Sequence, residues 1–184
     1  MPMGTRGAYG FRIDGMDKVT YNHSDSYPSW LGNNIVVFIK STPHEKMVEA
    51  ARRIILVNAD SKPTPDQIEE CKKYADLTVS KRSYEDWYCL LRDAQGDLNA
   101  YLDGLRYMID DRDFLADSSF CLWAYIVNLD EKIFEVYRGC QKERDKNPRN
   151  RYRNMEKCDE KYYPVKLVAE FPLDGIPDDW IEQV

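Results

Sequence analysis

Apolar and polar positions alternate on either side of Asp14-Gly15, and that dipeptide is a two-residue hairpin signal because a type I′ turn needs positive φ at both centres. Counting outward from the turn sets Ile13 opposite Met16, Arg12 opposite Asp17, Phe11 opposite Lys18 and Gly10 opposite Val19. The same register continues through Tyr9 with Thr20, Ala8 with Tyr21, Gly7 with Asn22 and Arg6 with His23. Paired residues share a face and faces alternate along a strand. Tyr9, Phe11, Ile13 and Met16 then form the core side. The opposite side carries Ala8, Gly10 and Val19 and, at the open end of the ribbon, Arg6, Tyr21 and His23. Small residues at Gly7, Ala8 and Gly10 leave room for another backbone or a ligand.

Downstream the period changes to that of a helix. Pro28 and Gly32 end the ribbon, and a first helix is expected over 33–40, although the run 35–39 reads equally as a buried strand. Pro43 opens a second helix through about residue 57 that buries Met47, Val48, Ala51, Ile54 and Ile55. Thr64-Pro65 begins a third, reaching Tyr74. Ser83 followed by Asp86 resembles a capping box for a fourth ending near Arg92. Gly96-Asp97 starts a fifth with Leu98, Tyr101, Leu102, Leu105, Met108 and Ile109 at helical spacing. Strand patterns then return at 122–129 and 132–138, flanking Asp130-Glu131 as a second hairpin, and at 165–171. Pro177 opens a short terminal helix with Trp180 and Ile181. The expected architecture is one α+β domain over 1–184: an antiparallel sheet built from N-terminal and C-terminal hairpins, covered by a layer of four or five helices.

Composition narrows the classes of function. A chain of 184 residues with 43% hydrophobic content suits one packed domain that needs no disulfide or structural metal. The net charge is −6, from 26 basic and 32 acidic side chains, which opposes broad nucleic-acid binding. The segment 142–157 is locally +4 and leaves −10 on the remainder. It is expected to be an exposed, mobile loop that docks a phosphate-bearing or acidic partner, with Tyr152 between Arg151 and Arg153. Five cysteines without C-x-x-C spacing fit reduced thiols and a cytoplasmic location. Neither a signal peptide nor a membrane span is expected, since the longest apolar run is far too short.

Candidate chemistry concentrates in Tyr21, Asn22, His23, Ser24, Asp25, Ser26 and Tyr27, a dense run of hydrogen-bonding groups at a strand end. A guanidinium, a phenol and an imidazole on one face suit holding an anion or moving a proton. Arg6 and His23 would hold the anion and Tyr21 and Asn22 would orient it. Asp25 would fix the histidine or the arginine, with Ser26 and Tyr27 completing the set. The competing reading is structural: Arg6 pairs with Asp25, and Ser24, Asp25 and Ser26 cap the following turn. A Ser/His/Asp triad is disfavoured, because residues two apart on a strand are separated by roughly 6.5 Å and neighbours face opposite ways. With only His23 and His44 in the chain, and His44 expected at the surface of a helix start, neither a metal nor a cofactor is expected. Asp110, Asp111, Asp113 and Asp117 read as a solvated acidic loop, with a cation site as the functional alternative.

Two resemblances add expectations. Gly4-Thr5 ahead of a strand, a glycine turn and a second strand resembles the opening of N-terminal-nucleophile hydrolases, in which cleavage after glycine frees a threonine nucleophile. Val37 stands where that pattern has a lysine and Tyr21 where it has an aspartate. The segments TRGAYGFRIDG and YNHSDSYPSWLG, with the later AYIVNLDEKIFEVYRG, resemble a poorly characterised family of tailed phages and bacteria. That likeness lands on Arg6, Tyr21, Asn22, His23, Asp25, Ser26, Tyr27, Pro28 and Gly32. It implies a phage or prophage origin and no activity. Joined to the strand-end residues, that origin leads to the expectation of a phage-type accessory protein that binds an anionic small ligand or a protein partner and modulates a host process, with a purely structural or interaction protein as the alternative.

Overall fold

The computed structural model describes residues 4–184. Strands β1 (Gly7–Ile13) and β2 (Met16–Asn22) form the expected hairpin, in register from Ile13–Met16 to Gly7–Asn22. Asp14 and Gly15 both take positive φ, 52° and 75°, as the two-residue turn requires. The second hairpin is β5 (Trp123–Asn128) with β6 (Ile133–Arg138), and β7 (Lys166–Pro172) follows. These five strands make one sheet in the order β2-β1-β5-β6-β7. The two hairpins meet along β1 and β5, which run parallel from Gly7–Trp123 to Arg12–Asn128, so the sheet is mostly rather than wholly antiparallel.

Two helices lie where the pattern placed them: α1 (Asn33–Ser41) and α2 (His44–Arg53). The alternative of a strand over 35–39 is thereby overturned. The second helix stops four residues earlier than expected. Lys18, on the helix side of β2, is buried and its Nζ donates to the carbonyls of Ala51 and Ile54, each at 2.8 Å, which closes the helix end. The β-branched run that follows becomes strand β3 (Ile55–Val57), paired in parallel with β4 (Tyr107–Ile109). The long fifth helix is therefore cut to α5 (Asn99–Leu102), because Tyr107, Met108 and Ile109 extend instead. In between, α3 (Pro65–Cys71) continues as a 3₁₀ turn to Tyr74. Its start has reciprocal bonds between Thr64 and Gln67. The fourth helix shrinks to α4 (Trp87–Leu90) plus a 3₁₀ turn over Arg92–Ala94. Ser83 turns its hydroxyl to the Glu85 N–H, and Asp86 makes no side-chain bond to the helix N-terminus, so no capping box forms. The terminal segment is likewise a 3₁₀ turn, Trp180–Gln183.

Both faces of the sheet are buried. Tyr9, Phe11, Ile13, Tyr125, Phe134 and Phe171 pack under the helices with Trp180. Met16, assigned to that side, sits in the last pair of the ribbon beside the turn and is 48% exposed. On the opposite side Ala8, Val19, Ala124, Ile126 and Tyr137 pack with Leu115, Tyr152, Val165 and Leu167. The space around the small residues of β1 is taken by backbone: a Cβ on Gly10 would sit 1.9 Å from the Lys18 carbonyl oxygen.

The segment 142–157 is the cover of this second face, not a free loop. Asn150 and Tyr152 are buried, and Asn150 Nδ2 donates to Asp145 Oδ2 and to the Val165 carbonyl. Two of its cations are paired with carboxylates of the sheet and its turns, while Lys142, Arg144 and Lys146 are exposed. Arg149 pairs with Glu131 and Glu170, while Arg151 pairs with Asp17 at 2.9 Å and with Glu135 at 2.6 Å. Glu135 is 1% exposed and also accepts from Asn128 Nδ2 and Tyr137 OH.

Two variants test this architecture by urea denaturation. Gly10→Ala forces β1 and β2 apart and is expected to cost about 1–3 kcal/mol or more, the range for overpacking. Arg151→Met strands the Glu135 carboxylate and is expected to cost roughly 3–5 kcal/mol, with more than half recovered by adding Glu135→Gln.

Candidate functional site

The open end of the first ribbon is held to the helical layer through His23. Gln95 Oε1 accepts both the backbone N–H and the Nδ1–H of His23, each at 2.8 Å. Arg92 Nη2 donates to His23 Nε2 at 2.5 Å, and Ser24 Oγ lies 3.0 Å from the same nitrogen. A carboxamide oxygen only accepts and a guanidinium only donates, so these partners select the imidazole tautomer with its proton on Nδ1. Arg92 and Gln95 are three apart across a 3₁₀ turn, where such residues eclipse. That spacing puts both side chains on His23.

Arg6 lies one step beyond the Gly7–Asn22 pair, on the same face as Tyr21 and His23. Its guanidinium sits over the Phe120 ring, 5.4 Å from the centroid. Tyr21 packs edge-on against Phe114 at 5.2 Å and tilts against Tyr88 at 6.4 Å. Burial raises the Tyr21 phenol above its ordinary range, while the nearby charges of Arg6 and Arg92 act in the opposite direction. Arg6 and Arg92 thus each act on the Tyr21 phenol by charge, and Arg92 is bonded to His23. Among the described residues, neither Arg6 nor Arg92 has a carboxylate within 4.0 Å. Arg92 Nε is buried without a hydrogen-bond partner, and Asp76, the acid that feels Arg92, has its carboxylate bonded to the Thr78 N–H and hydroxyl.

The other expected site residues divide differently. Asn22 and Ser26 are buried braces: Asn22 Nδ2 donates to the Ser24 carbonyl and to Ser26 Oγ, and the Ser26 carbonyl accepts from Tyr125 OH at 2.8 Å. Asp25 takes positive φ of 54° and is exposed. Among the described residues its carboxylate bonds neither His23 nor Arg6, so the orienting role expected of it belongs to Gln95. Tyr27 is also exposed, and its carbonyl accepts from the Trp30 and Gly32 N–H groups. The sequence reasoning missed Arg92, Gln95 and Phe120. The first two were visible only as an i, i+3 pair, and their segment was read as the end of an α-helix.

Other proposed chemistries find less support. Ser24 does approach His23, against expectation, because the chain has left the strand there. Arg92 already occupies Nε2, however, and moving a serine proton onto it would place two cations in contact. Thr5 is 2% exposed, with its carbonyl accepting from the Ser26 N–H; the removal of residues 1–4 that would free it falls mostly outside the described residues, which begin at Gly4. His44 is half-buried, and its Nε2 lies 3.3 Å from the Leu129 carbonyl. Asp111, assigned to a solvated loop, is instead largely buried and accepts from the Tyr21 N–H and the Thr20 hydroxyl. Among the described residues no cluster of three or more His, Cys, Asp or Glu side chains could hold a metal, and no helix is long and apolar enough to cross a membrane.

A cleft of about 730 Å³ lies elsewhere, at the carboxyl ends of β3 and β4, lined by Asn58, Asp60, Asp113 and Met155. Its size suits a ligand. Its arginines, however, are paired with carboxylates within the protein, Arg12 and Arg151 on Asp17 and Arg112 on Asp110, although Arg151 Nε, like Arg92 Nε, is buried without a hydrogen-bond partner. We therefore place the candidate site at Arg6 and Arg92. Comparisons with models of known families, with curated proteins and with solved structures each found no match to this chain.

Burial raises the Asp111 carboxyl above its ordinary range, outweighing the bonds from Tyr21 and Thr20. A carboxyl with a raised folded pKa binds its proton more tightly when folded, so its contribution is lost as pH rises through that value. Asp111→Asn keeps one oxygen for both donors and removes the charge. The expected result is a higher melting temperature than wild type at pH 7, with the difference shrinking as pH falls to 4. A lower melting temperature at pH 7 would contradict it.

Proposed function

We propose that this protein binds a small anion at the open end of its first hairpin, with Arg6 and Arg92 as the charged contacts and His23 and Tyr21 as neighbours that hold them in place. The observation that carries this reading is the pair of half-buried guanidiniums without a carboxylate partner on an otherwise acidic protein. A guanidinium held partly away from water favours an anion more strongly than a freely solvated one does. Read with the phage-like pattern of the opening segments, the protein would be an accessory protein of that origin, whose target in a host would present the anion. Docking through the 142–157 segment is weakened by the internal use of Arg149 and Arg151, and the hydrolase reading by the burial of Thr5.

A second reading rests on the complete hydrogen bonding of the His23 ring: the network anchors the ribbon to the 3₁₀ turn and nothing more. Calorimetry with inorganic phosphate separates the two. Saturable binding is expected, weakening with added sodium chloride. Arg6→Gln and Arg92→Gln should each reduce the affinity at least about tenfold, the loss of one charge-assisted contact. Lys142→Gln should leave it unchanged. If His23→Gln and Arg92→Gln lower the melting temperature while wild type ignores phosphate, the anchoring role alone stands.

A further inference from the structure

The loop after β6 encloses a cavity of about 440 Å³, lined by residues 141–146 and by Lys166, the first residue of β7. That size lies within the range of about 300–1,000 Å³ usual for ligand pockets. Asp145, only 9% exposed, shapes the loop. Its carboxylate accepts from the Asn147 N–H, from Asn150 Nδ2 and from the Leu167 N–H. The bond to Leu167 brings the neighbouring Lys146 and Lys166 to the same cavity. Lys142 lies over the Tyr162 ring and Arg144 over the Tyr163 ring, 5.0 and 5.3 Å from the centroids. Among the described residues, none of these four cations has a carboxylate within 4.0 Å. The backbone N–H groups of 142–146 likewise find no acceptor in the described protein. Against them stands Glu143, the one lining carboxylate that no protein donor holds.

We propose that this cavity is a second site, independent of Arg6 and Arg92, that binds a short inorganic polyphosphate chain. Ammonium and guanidinium groups are the usual partners of phosphate oxygens, and unbonded backbone N–H groups in a loop add to an anion cradle. The cations enter from successive loop positions and from β7, so they are distributed along the wall. A single phosphate, with a charge of about −1.5 to −2, engages only part of that wall. A chain of phosphates carries anionic oxygens along its whole length. Every lining side chain is polar or charged, so the cavity offers nothing to a nucleobase or another apolar group. Lys146 and Lys166, which lie over no ring and pair with no acid, are the principal contacts.

The test is calorimetry on the full chain with sodium tripolyphosphate, orthophosphate, ATP and a pentaglutamate peptide. Tripolyphosphate is expected to bind at least about tenfold tighter than orthophosphate, the gain from one further charge-assisted contact. Lys146→Gln and Lys166→Gln, both at exposed positions, should each weaken it about tenfold, and Lys146→Arg and Lys166→Arg should retain it. ATP should bind no more tightly than tripolyphosphate. Tripolyphosphate binding that ignores both lysine variants and disappears in Arg6→Gln would overturn this cavity and leave the first anion site standing. Tripolyphosphate binding that depends on the lysines, in a protein that ignores orthophosphate, would support the cavity and overturn the first site instead. A tighter ATP would reject the free chain in favour of a nucleotide's triphosphate, and a tighter pentaglutamate would reject it in favour of an acidic peptide.

Discussion

The register of the first hairpin is the constraint on which the rest of the structure depends. A type I′ turn at Asp14-Gly15 allows one pairing, and a slip of a single residue would exchange the two faces of the ribbon. Tyr9 and Phe11 would then leave the helical layer, and Ala8 and Val19 of the opposite face would turn into it. The protein reinforces the turn from outside. Asp130, in the turn of the second hairpin, accepts the N–H groups of Asp14 and Gly15 at 2.8 and 2.9 Å, and Arg52 holds Asp14 through two bonds. The two hairpins are thereby clamped turn to turn, and β1 and β5 are aligned in parallel beside the clamp.

At the opposite end the same ribbon is fastened by side chains of another kind. The Asn22 amide braces the exit loop and Gln95 captures the backbone and ring of His23. The consequence is a site whose histidine belongs to the scaffold. Its ring is fully bonded and positions Arg92, so in the proposed site the charged contacts fall to the arginines. A rigid support of this kind reduces the order that a ligand must impose when it binds.

What could be read from the chain follows from the range of each interaction. The turn, the register, α3 and the second hairpin are decided by neighbours a few residues apart, and the pattern shows them; for α1 the pattern allows helix and strand equally. The end of α2 is decided by Lys18, some 33 residues earlier, whose ammonium takes the last carbonyls. The strand Tyr107–Ile109 is apolar at helical spacing and extends only because β3 offers it a partner. The same limit applied to the site. Arg6, Tyr21 and His23 share a face by periodicity alone, whereas Arg92 and Gln95 reach His23 across about 70 residues of chain. Asp25 misled because its neighbourhood in sequence suggested a partner that its left-handed backbone turns away. The basic run 142–157 misled because a local excess of positive charge says nothing about carboxylates elsewhere, here on β2 and β6, that neutralise it.

The parallel pairing of β1 with β5 has a further outcome during biosynthesis. Gly7 meets Trp123, so one edge of the future central strand stays unsatisfied until 116 more residues have left the ribosome, roughly 6–23 s at ordinary elongation rates. Through that interval the nascent ribbon exposes a bare, glycine-bearing edge flanked by Tyr9 and Phe11, the kind of surface on which chains associate with one another. The charged residues Arg12, Asp14, Asp17 and Lys18 around its tip serve as gatekeepers against such encounters until the second hairpin arrives.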